Sequence, residues 1–478
     1  MEGFRIKVLL VDDESAAIDA AMAVLQGLSK RVDVTVANNQ SDAISLLDEH
    51  FFDIAILDLR IPTRPGATDS DAAHGYAVFG HLLDSAPGTP VFLLTGSLVE
   101  EFATDLLSRG NRIDIWGTGV LPTVVLHRKV DIINLAGKLK PYFEGVAKIS
   151  DIELDVDDRT ISIEMDRLLR IFANQHRCVR CEARRVGGGL SGARIFRLAI
   201  FNEAGADVLH AVGKIGSIAD VQDESERYNS YIARLSAGVT PRMLNSWKFG
   251  AKGTAANFYG LAAGHIYSFF DLSKGNGNVC GTAVENTANG LLAWRRASRE
   301  CRKKVAEVRA TLLSDERLRE ITETYNLDWV EEFEERNVQI LWGCVHSDFH
   351  GENVLLTDQG VPQVIDYGDV AEGASCIDPV SLELSAFFHP NSPWRAHGWP
   401  SEGEAAHWGD LDVYLEKCPY PEFVRACRTW AVGISASRRG LAAAAYTYLI
   451  KQLKYEDADH QRALSLLVGV RRLWDENT

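Results

Sequence analysis

No apolar run in this 478-residue chain approaches the roughly 20 residues needed to span a bilayer, so no membrane crossing is expected. The opening stretch has no long apolar core and no small-residue cleavage site, which predicts no secretory leader. Cysteines number only eight and follow no regular spacing, which argues for free thiols in a reducing, cytoplasmic setting rather than a disulfide framework. Cys178 and Cys181 form a lone CxxC with no second pair at metal-ligand spacing, and read as two strand cysteines rather than a zinc site. Basic residues are outnumbered, 50 Lys and Arg against 66 Asp and Glu, and a net charge of −16 excludes a broad nucleic-acid footprint. There is no internal repeat or low-complexity tract, which excludes a solenoid. With 46% hydrophobic and 24% charged residues, the chain has the composition of a folded globular protein, and its length suggests two or three domains.

Within residues 1–148, Lys7 to Val11 is an apolar run ending in Asp12 and Asp13, and Ile54 to Leu57 is another ending in Asp58. Val91 to Leu94 is a third, ending in Thr95-Gly96-Ser97. Ala16 to Leu28 and Ser41 to Leu47 carry helical spacing, the second with Ser41 as the expected cap. Strands alternating with helices predict a parallel sheet whose ligands sit beyond the strands' carboxyl ends. Three converging carboxylates repel one another unless a hard dication neutralises them, and Mg²⁺ suits their oxygens. Asp58 can then attack a phosphoryl group to form an acyl phosphate, with Thr95 and Lys129 as the available hydroxyl and ammonium.

With Asp12, Asp13, Asp58, Thr95 and Lys129 in this order, the segment resembles the receiver domains of response regulators, which implies a doubly wound α/β fold with a parallel five-stranded sheet. It also implies a cognate histidine kinase or other phosphodonor, and a homodimer through the receiver is an expectation. Three features depart from the family. A long polar loop runs from Pro62 to Gly75 beside Asp58, and reads as a lid or partner contact. Thr95 to Lys129 spans 34 residues, with an insertion around Trp116 to Pro122. Val130 follows Lys129 where a proline is usual, and Leu126 stands where an aromatic switch residue often does.

Ser150 to Arg159 is acidic and reads as part of a solvated linker over 149–164. Ile163 to Phe172 has helical spacing and leads into a second domain, divided here into 165–270 and 271–478. Gly187, Gly188, Gly189, Ser191 and Gly192 fit GxGxxG, a weak signal on its own. A dinucleotide fold needs a helix next, yet Ala193 to Phe201 alternates like a strand, which predicts a glycine turn whose backbone N–H groups approach a nucleotide's phosphates. Lys214 on the following strand, Val208 to Ile215, suits the α- and β-phosphates. Glu224, on a helix from Asp220 to Leu235, is its expected partner in preference to Glu226, since it lies four residues before Tyr228 on the apolar face.

The strongest signal runs from His346 to Leu356 and on to Asp366. Asp348 and Asn353 stand five apart, and Asp366 follows an apolar strand. His346 and His350 read as structural loop residues. The D-x-H-x-x-N and I-D-Y-G-D forms resemble the aminoglycoside phosphotransferase and choline kinase branch of kinase-like proteins, with Ser347 replacing a usual glycine. That resemblance reaches about Asp378-Pro379, and implies a bilobal α+β kinase-like fold that uses ATP and Mg²⁺. By it, Asp348 is the catalytic base, Asn353 and Asp366 are metal ligands, and Lys214 binds ATP. Residues 280–340 and 380–478 have helical periodicity and are expected to build the acceptor side. Trp294, Trp329, Trp342, Trp394 and Trp399 read as core anchors. The expected function is a receiver-regulated phosphotransferase acting on a hydroxyl of a small molecule or of a protein side chain. The competing class is a non-catalytic nucleotide-binding module that works through partner binding.

Overall fold

The computed structural model describes residues 4–96, 110–158, 160–185, 193–236, 238–261, 267–274, 277–357 and 359–476. It divides into two units, Met1–Gln222 with Met243–Leu261, and Asp223–Arg242 with Ala262–Thr478. The expected order, a parallel five-stranded α/β fold followed by an α+β region, is the one observed.

The first unit begins β1 (Ile6–Val11), α1 (Ser15–Leu28), β2 (Val32–Ala37), α2 (Gln40–Glu49), β3 (Ile54–Asp58), α3 (Ala72–Ser85) and β4 (Val91–Thr95). A short hairpin, β5 (Arg112–Ile113) with β6 (Leu121–Pro122), precedes β7 (Val124–Arg128). The sheet order β2-β1-β3-β4-β7 is parallel throughout. β3 and β4 are buried along their whole length, as strands covered on both faces must be. The cap of α2 is Asn39, not Ser41: its side chain accepts the Asp42 N–H at 2.9 Å, two residues earlier than the helical spacing suggests.

A second sheet follows in the same unit, with order β12-β13-β11-β10-β9-β8: β8 (Glu153–Val156), β9 (Arg180–Arg185), β10 (Arg194–Phe201), β11 (Asp207–Ser217), β12 (Arg242–Trp247) and β13 (Thr254–Gly260). The stretch expected as linker therefore contributes an edge strand. β8 pairs in parallel with β9, and Leu154 and Val156 pack on the sheet's apolar cluster while their acidic neighbours face outward.

The two sheets are joined at the N-terminal edge of the receiver. Arg167, on the helix Ile163–Gln175, makes a bidentate pair with Asp53 at 2.9 and 3.2 Å, with both side chains almost fully buried. Its guanidinium also lies 3.6 Å over the Phe4 ring. Trp116, in the insertion, packs into the receiver core, and its carbonyl accepts a hydrogen bond from Asn174 of the same helix. Gly145 makes room for that indole, since a Cβ there would sit 2.4 Å from the ring. Ile171 joins the receiver cluster, and Trp247 of β12 packs against the clusters of both sheets.

The second unit holds two small sheets, β14 (Tyr267–Ser268) with β17 (Val354–Leu356) and β18 (Pro362–Val364), and β15 (Arg299–Lys304) with β16 (Asn337–Val345) and β19 (Ala371–Ala374). β15 and β16 interrupt the stretch expected to be helical over 280–340. Helices Ile377–Phe388, Pro421–Gly433, Arg438–Gln452 and His460–Asp475 form the core, the first of them buried at every position. Glu383 within it is satisfied by Arg428 at 2.7 and 3.1 Å and by the Trp408 indole N–H at 3.1 Å, as a buried carboxylate requires. Trp294, Trp394 and Trp399 are buried, and Trp329 and Trp342 pack on the same core.

Candidate functional site

The carboxyl ends of β1, β3 and β4 bring Asp12, Asp58 and Thr95 together, because neighbouring parallel strands end in register. The ligand oxygens of Asp12, Asp13 and Asp58 lie within 4.8 Å of one another. Lys129 reaches across, with Nζ 2.6 Å from Asp58, 3.0 Å from Asp12 and 3.0 Å from Glu14. Burial pulls the Lys129 ammonium down, but the hydrogen bonds it donates to Asp58 and Asp12 outweigh this and hold the group well above its ordinary value, so it stays charged. Burial raises the Asp12 carboxyl despite the Glu14 N–H and Lys129. Among the described residues, Asp12 Oδ2 and Thr95 Oγ1 are buried without a hydrogen-bond partner. Two orphaned oxygens beside three carboxylates fit a hard dication and a phosphoryl group.

The polar loop after Pro62 folds back on this site. Asp69 accepts from the Thr63 N–H and hydroxyl at 3.1 and 2.7 Å, Asp71 bridges to Ile61, and the Ser70 hydroxyl lies 3.2 Å from Asp13. Glu14 and Ser70 are the site neighbours that sequence reasoning missed. Neither has a local signal, since each is an exposed polar residue in a loop.

In the second sheet, β9 and β10 are antiparallel neighbours flanking the glycine segment, so a strand and not a helix follows it. Gly187, Gly188, Gly189, Ser191 and Gly192 themselves lie outside the described residues. Lys214 sits on the central strand β11, nearly buried, between Ile195 of β10 and Asn257 of β13. Glu224 belongs to the second unit and is buried, whereas Glu226 is exposed, in keeping with the apolar face assigned to Glu224.

Asp366 follows β18, and the loop between β16 and β17 carries Asp348 and Asn353. Asp378 fixes its start by accepting the His346 N–H at 2.8 Å and the Ser347 N–H at 3.2 Å. Sequence reasoning reached Asp378 only as the end of a resemblance. An acid in the first turn of a largely apolar helix was the available signal. Asn353 Nδ2 donates to the Asp348 carbonyl at 2.9 Å, which leaves its amide oxygen as the ligand end. The Ile365 N–H donates to the Asn353 carbonyl at 2.9 Å, so the β17–β18 hairpin sets Asp366 next to Asn353. A carboxylate and an amide oxygen are hard donors that suit Mg²⁺.

His350 Nδ1 accepts the Glu352 N–H, and its Nε2 lies 3.4 Å from Asp348 Oδ2 and 3.2 Å from Asn353 Nδ2. Burial pushes the Asp348 carboxyl up, but the His350 contact and the Lys451 charge outweigh it and hold it well below the usual carboxylate range. His346 is fully buried, pairs with the Ile365 carbonyl at 3.0 Å, and is driven toward its neutral form by burial, which makes it a loop support.

Ser347 has φ +68°, a left-handed conformation that explains the glycine expected there, and its buried hydroxyl has no partner among the described residues. Ser347→Gly should therefore raise unfolding stability by about 1 kcal/mol, after the entropic cost of glycine, and denaturant melts would show it. A loss of stability would mean that the hydroxyl is bonded in solution.

Cys178 and Cys181 are buried in the apolar cluster of the second sheet, and burial pushes the Cys181 thiol up to about 12. No described helix is long and apolar enough to cross a membrane.

Residues 8–112 match the family described as the response regulator receiver domain. No curated protein matches the chain. Among solved structures, a CheY-like receiver domain protein from Methanospirillum hungatei is 19% identical over 30% of this chain and 98% of its own, with a TM-score of 0.23. The ADP-bound aminoglycoside phosphotransferase APH(2'')-Ib is 15% identical over 63% of this chain and 97% of its own, with a TM-score of 0.32. Choline kinase LicA from Streptococcus pneumoniae is 12% identical over 61% and 94%, with a TM-score of 0.29.

Proposed function

We propose that this chain transfers the γ-phosphoryl group of ATP to a hydroxyl, under the control of its receiver domain. The observation that carries the reading is the Asp348 loop: a carboxylate kept ionised, an amide anchored to its carbonyl, and a second carboxylate beside that amide. Asp348 accepts the proton of the acceptor hydroxyl, and His350 orients its Oδ2. Asn353 and Asp366 would hold Mg²⁺, which when bound neutralises phosphate charge. Lys214 and the glycine turn would hold the nucleotide's phosphates.

Regulation rests on the join. The receiver meets the second sheet through Asp53, Phe4 and Trp116, at the sheet end opposite Asp58, and through the Asp48 and Pro87 carbonyls, which accept from Lys252 and the Gly250 N–H. A phosphodonor, such as a histidine kinase, would load Asp58 at the free end, and receiver dimerisation is one route by which the change would be read.

The test is ATP consumption by full-length protein with Mg²⁺, with and without beryllofluoride as a phosphoryl mimic on Asp58. Wild-type turnover should shift with beryllofluoride by about threefold or more, about 0.7 kcal/mol in barrier, and Asp58→Asn should turn over without responding. Turnover that responds equally in Asp58→Asn would remove the receiver from the mechanism. Absence of turnover and of transfer to a broad acceptor panel would leave a nucleotide-binding module.

A further inference from the structure

Asp348 has a neighbour that a general base does not need. Lys451, in the last turn of the helix Arg438–Gln452, places Nζ 3.8 Å from Asp348 Oδ1, with its side chain only 16% exposed. Among the described residues it has no other ion-pair partner. The ammonium depresses the basicity of Asp348 and is itself partly desolvated, two costs with no return inside the free protein.

The surroundings set the sign of the ligand that would use it. Lys454, one turn further on, lies within electrostatic reach of both Asp348 and Lys451. His389 lies against His350 with ring centroids 4.4 Å apart and planes tilted by 31°, and burial holds it down at about 4, so it adds a neutral polar wall at neutral pH. Of the nearby carboxylates, Asp457 is paired with Arg395 and Glu352 accepts from Asn391 at 2.9 Å, while Asp369 is exposed and lies within electrostatic reach of Lys454. A polycationic acceptor needs carboxylates free to receive it. Here the lysine is what stands ready beside the base.

We infer that Lys451, supported by Lys454, is the acceptor-side subsite for a negatively charged group, so that the hydroxyl presented to Asp348 belongs to a small anionic molecule such as a sugar phosphate or hydroxy acid. The inference rests on the phosphotransferase reading above. In the step it serves, the acceptor oxygen forms a bond to the γ-phosphorus and the β–γ bridging P–O bond breaks. The electron pair leaves with ADP, the hydroxyl proton passes to Asp348, and the anionic group is unchanged. Lys451 positions the acceptor.

The experiment uses full-length protein with Mg²⁺ and a non-hydrolysable ATP analogue, whose own binding is recorded first by calorimetry. The complex is then titrated with glucose, glucosamine, gluconate and glucose 6-phosphate, related hydroxylated probes that differ in charge. At least one anionic probe should bind about tenfold or more tightly than glucose and glucosamine, the scale of one charged hydrogen bond. Lys451→Met should erase that preference, and Lys451→Arg should keep it. Whether gluconate or glucose 6-phosphate is favoured identifies carboxylate or phosphate as the recognised group. Glucosamine binding as tightly as the anions would overturn the inference. So would an unchanged preference in a Lys451→Met variant that still melts cooperatively and binds nucleotide, or no anion binding at millimolar concentration in a nucleotide-loaded protein. Failure of the nucleotide itself to bind would instead sink the phosphotransferase reading.

Discussion

Asp348→Asn is expected to lower the rate of phosphoryl transfer by about a thousandfold, roughly 4 kcal/mol in barrier, and to leave folding and nucleotide affinity nearly unchanged. The substitution keeps the shape of the side chain and removes its ability to take a proton. The carboxylate is ionised well below its ordinary range, so the wild-type base is competent across the whole neutral region and its loss cannot be mimicked by a modest pH change. Asn353 is anchored to the Asp348 backbone carbonyl and not to its carboxylate, so the ligand end of the loop should survive. Single-turnover transfer from labelled ATP measures the chemical step directly. Retention of more than about a tenth of the wild-type rate would show that Asp348 is not the base, since a positioned base contributes at least about a hundredfold.

That prediction was available from sequence because the parts of the loop are close in the chain. Asp348, Asn353 and Asp366 are joined by one hairpin, β17–β18, and local spacing determines what such a hairpin can bring together. The receiver was legible for a related reason. Each apolar run ends in its functional residue, and the parallel pairing rule places those ends on one edge. What failed was what depends on distant pairing. Acidic residues at 153 and 155 read as linker, because nothing local reveals that Arg180 and Glu182 lie opposite them across a strand pair. Trp116 was visible as part of an insertion but not as a docking side chain, since its partner Asn174 comes from another domain of the sequence reading. Lys451 closes an alanine-rich helix whose pattern says only that it is buried. Its proximity to Asp348 is a product of tertiary packing.

Arg167→Met is expected to destabilise the first unit by about 3–5 kcal/mol, the cost of leaving a buried charge without its partner. Asp53 is almost inaccessible, and two of its three side-chain hydrogen bonds come from Arg167, the third being the Lys7 N–H at 2.8 Å. Methionine fills much of the volume of the arginine stem but offers nothing to the carboxylate, and it also gives up the contact with the Phe4 ring and the bond to the Arg5 carbonyl. Denaturant unfolding followed by the fluorescence of the join tryptophans, Trp116 and Trp247, would read the change. The double variant Asp53→Leu with Arg167→Met should recover much of the loss, because replacing both charges removes the unpaired carboxylate, though the Lys7 N–H then loses its acceptor. The same pair ties the receiver to the second sheet at the end of the sheet remote from Asp58. An effect of Asp58 phosphorylation that travels through the buried part of this join crosses the receiver's parallel strands and leaves through Asp53, Phe4 or Trp116, while the bonds of Lys252 to the Asp48 carbonyl and of the Gly250 N–H to the Pro87 carbonyl offer a second route. In the single variant, then, the beryllofluoride response should fall toward that of Asp58→Asn at a temperature where the protein is still folded and still turns over ATP. A full response in folded Arg167→Met would mean that the signal leaves the receiver by another face.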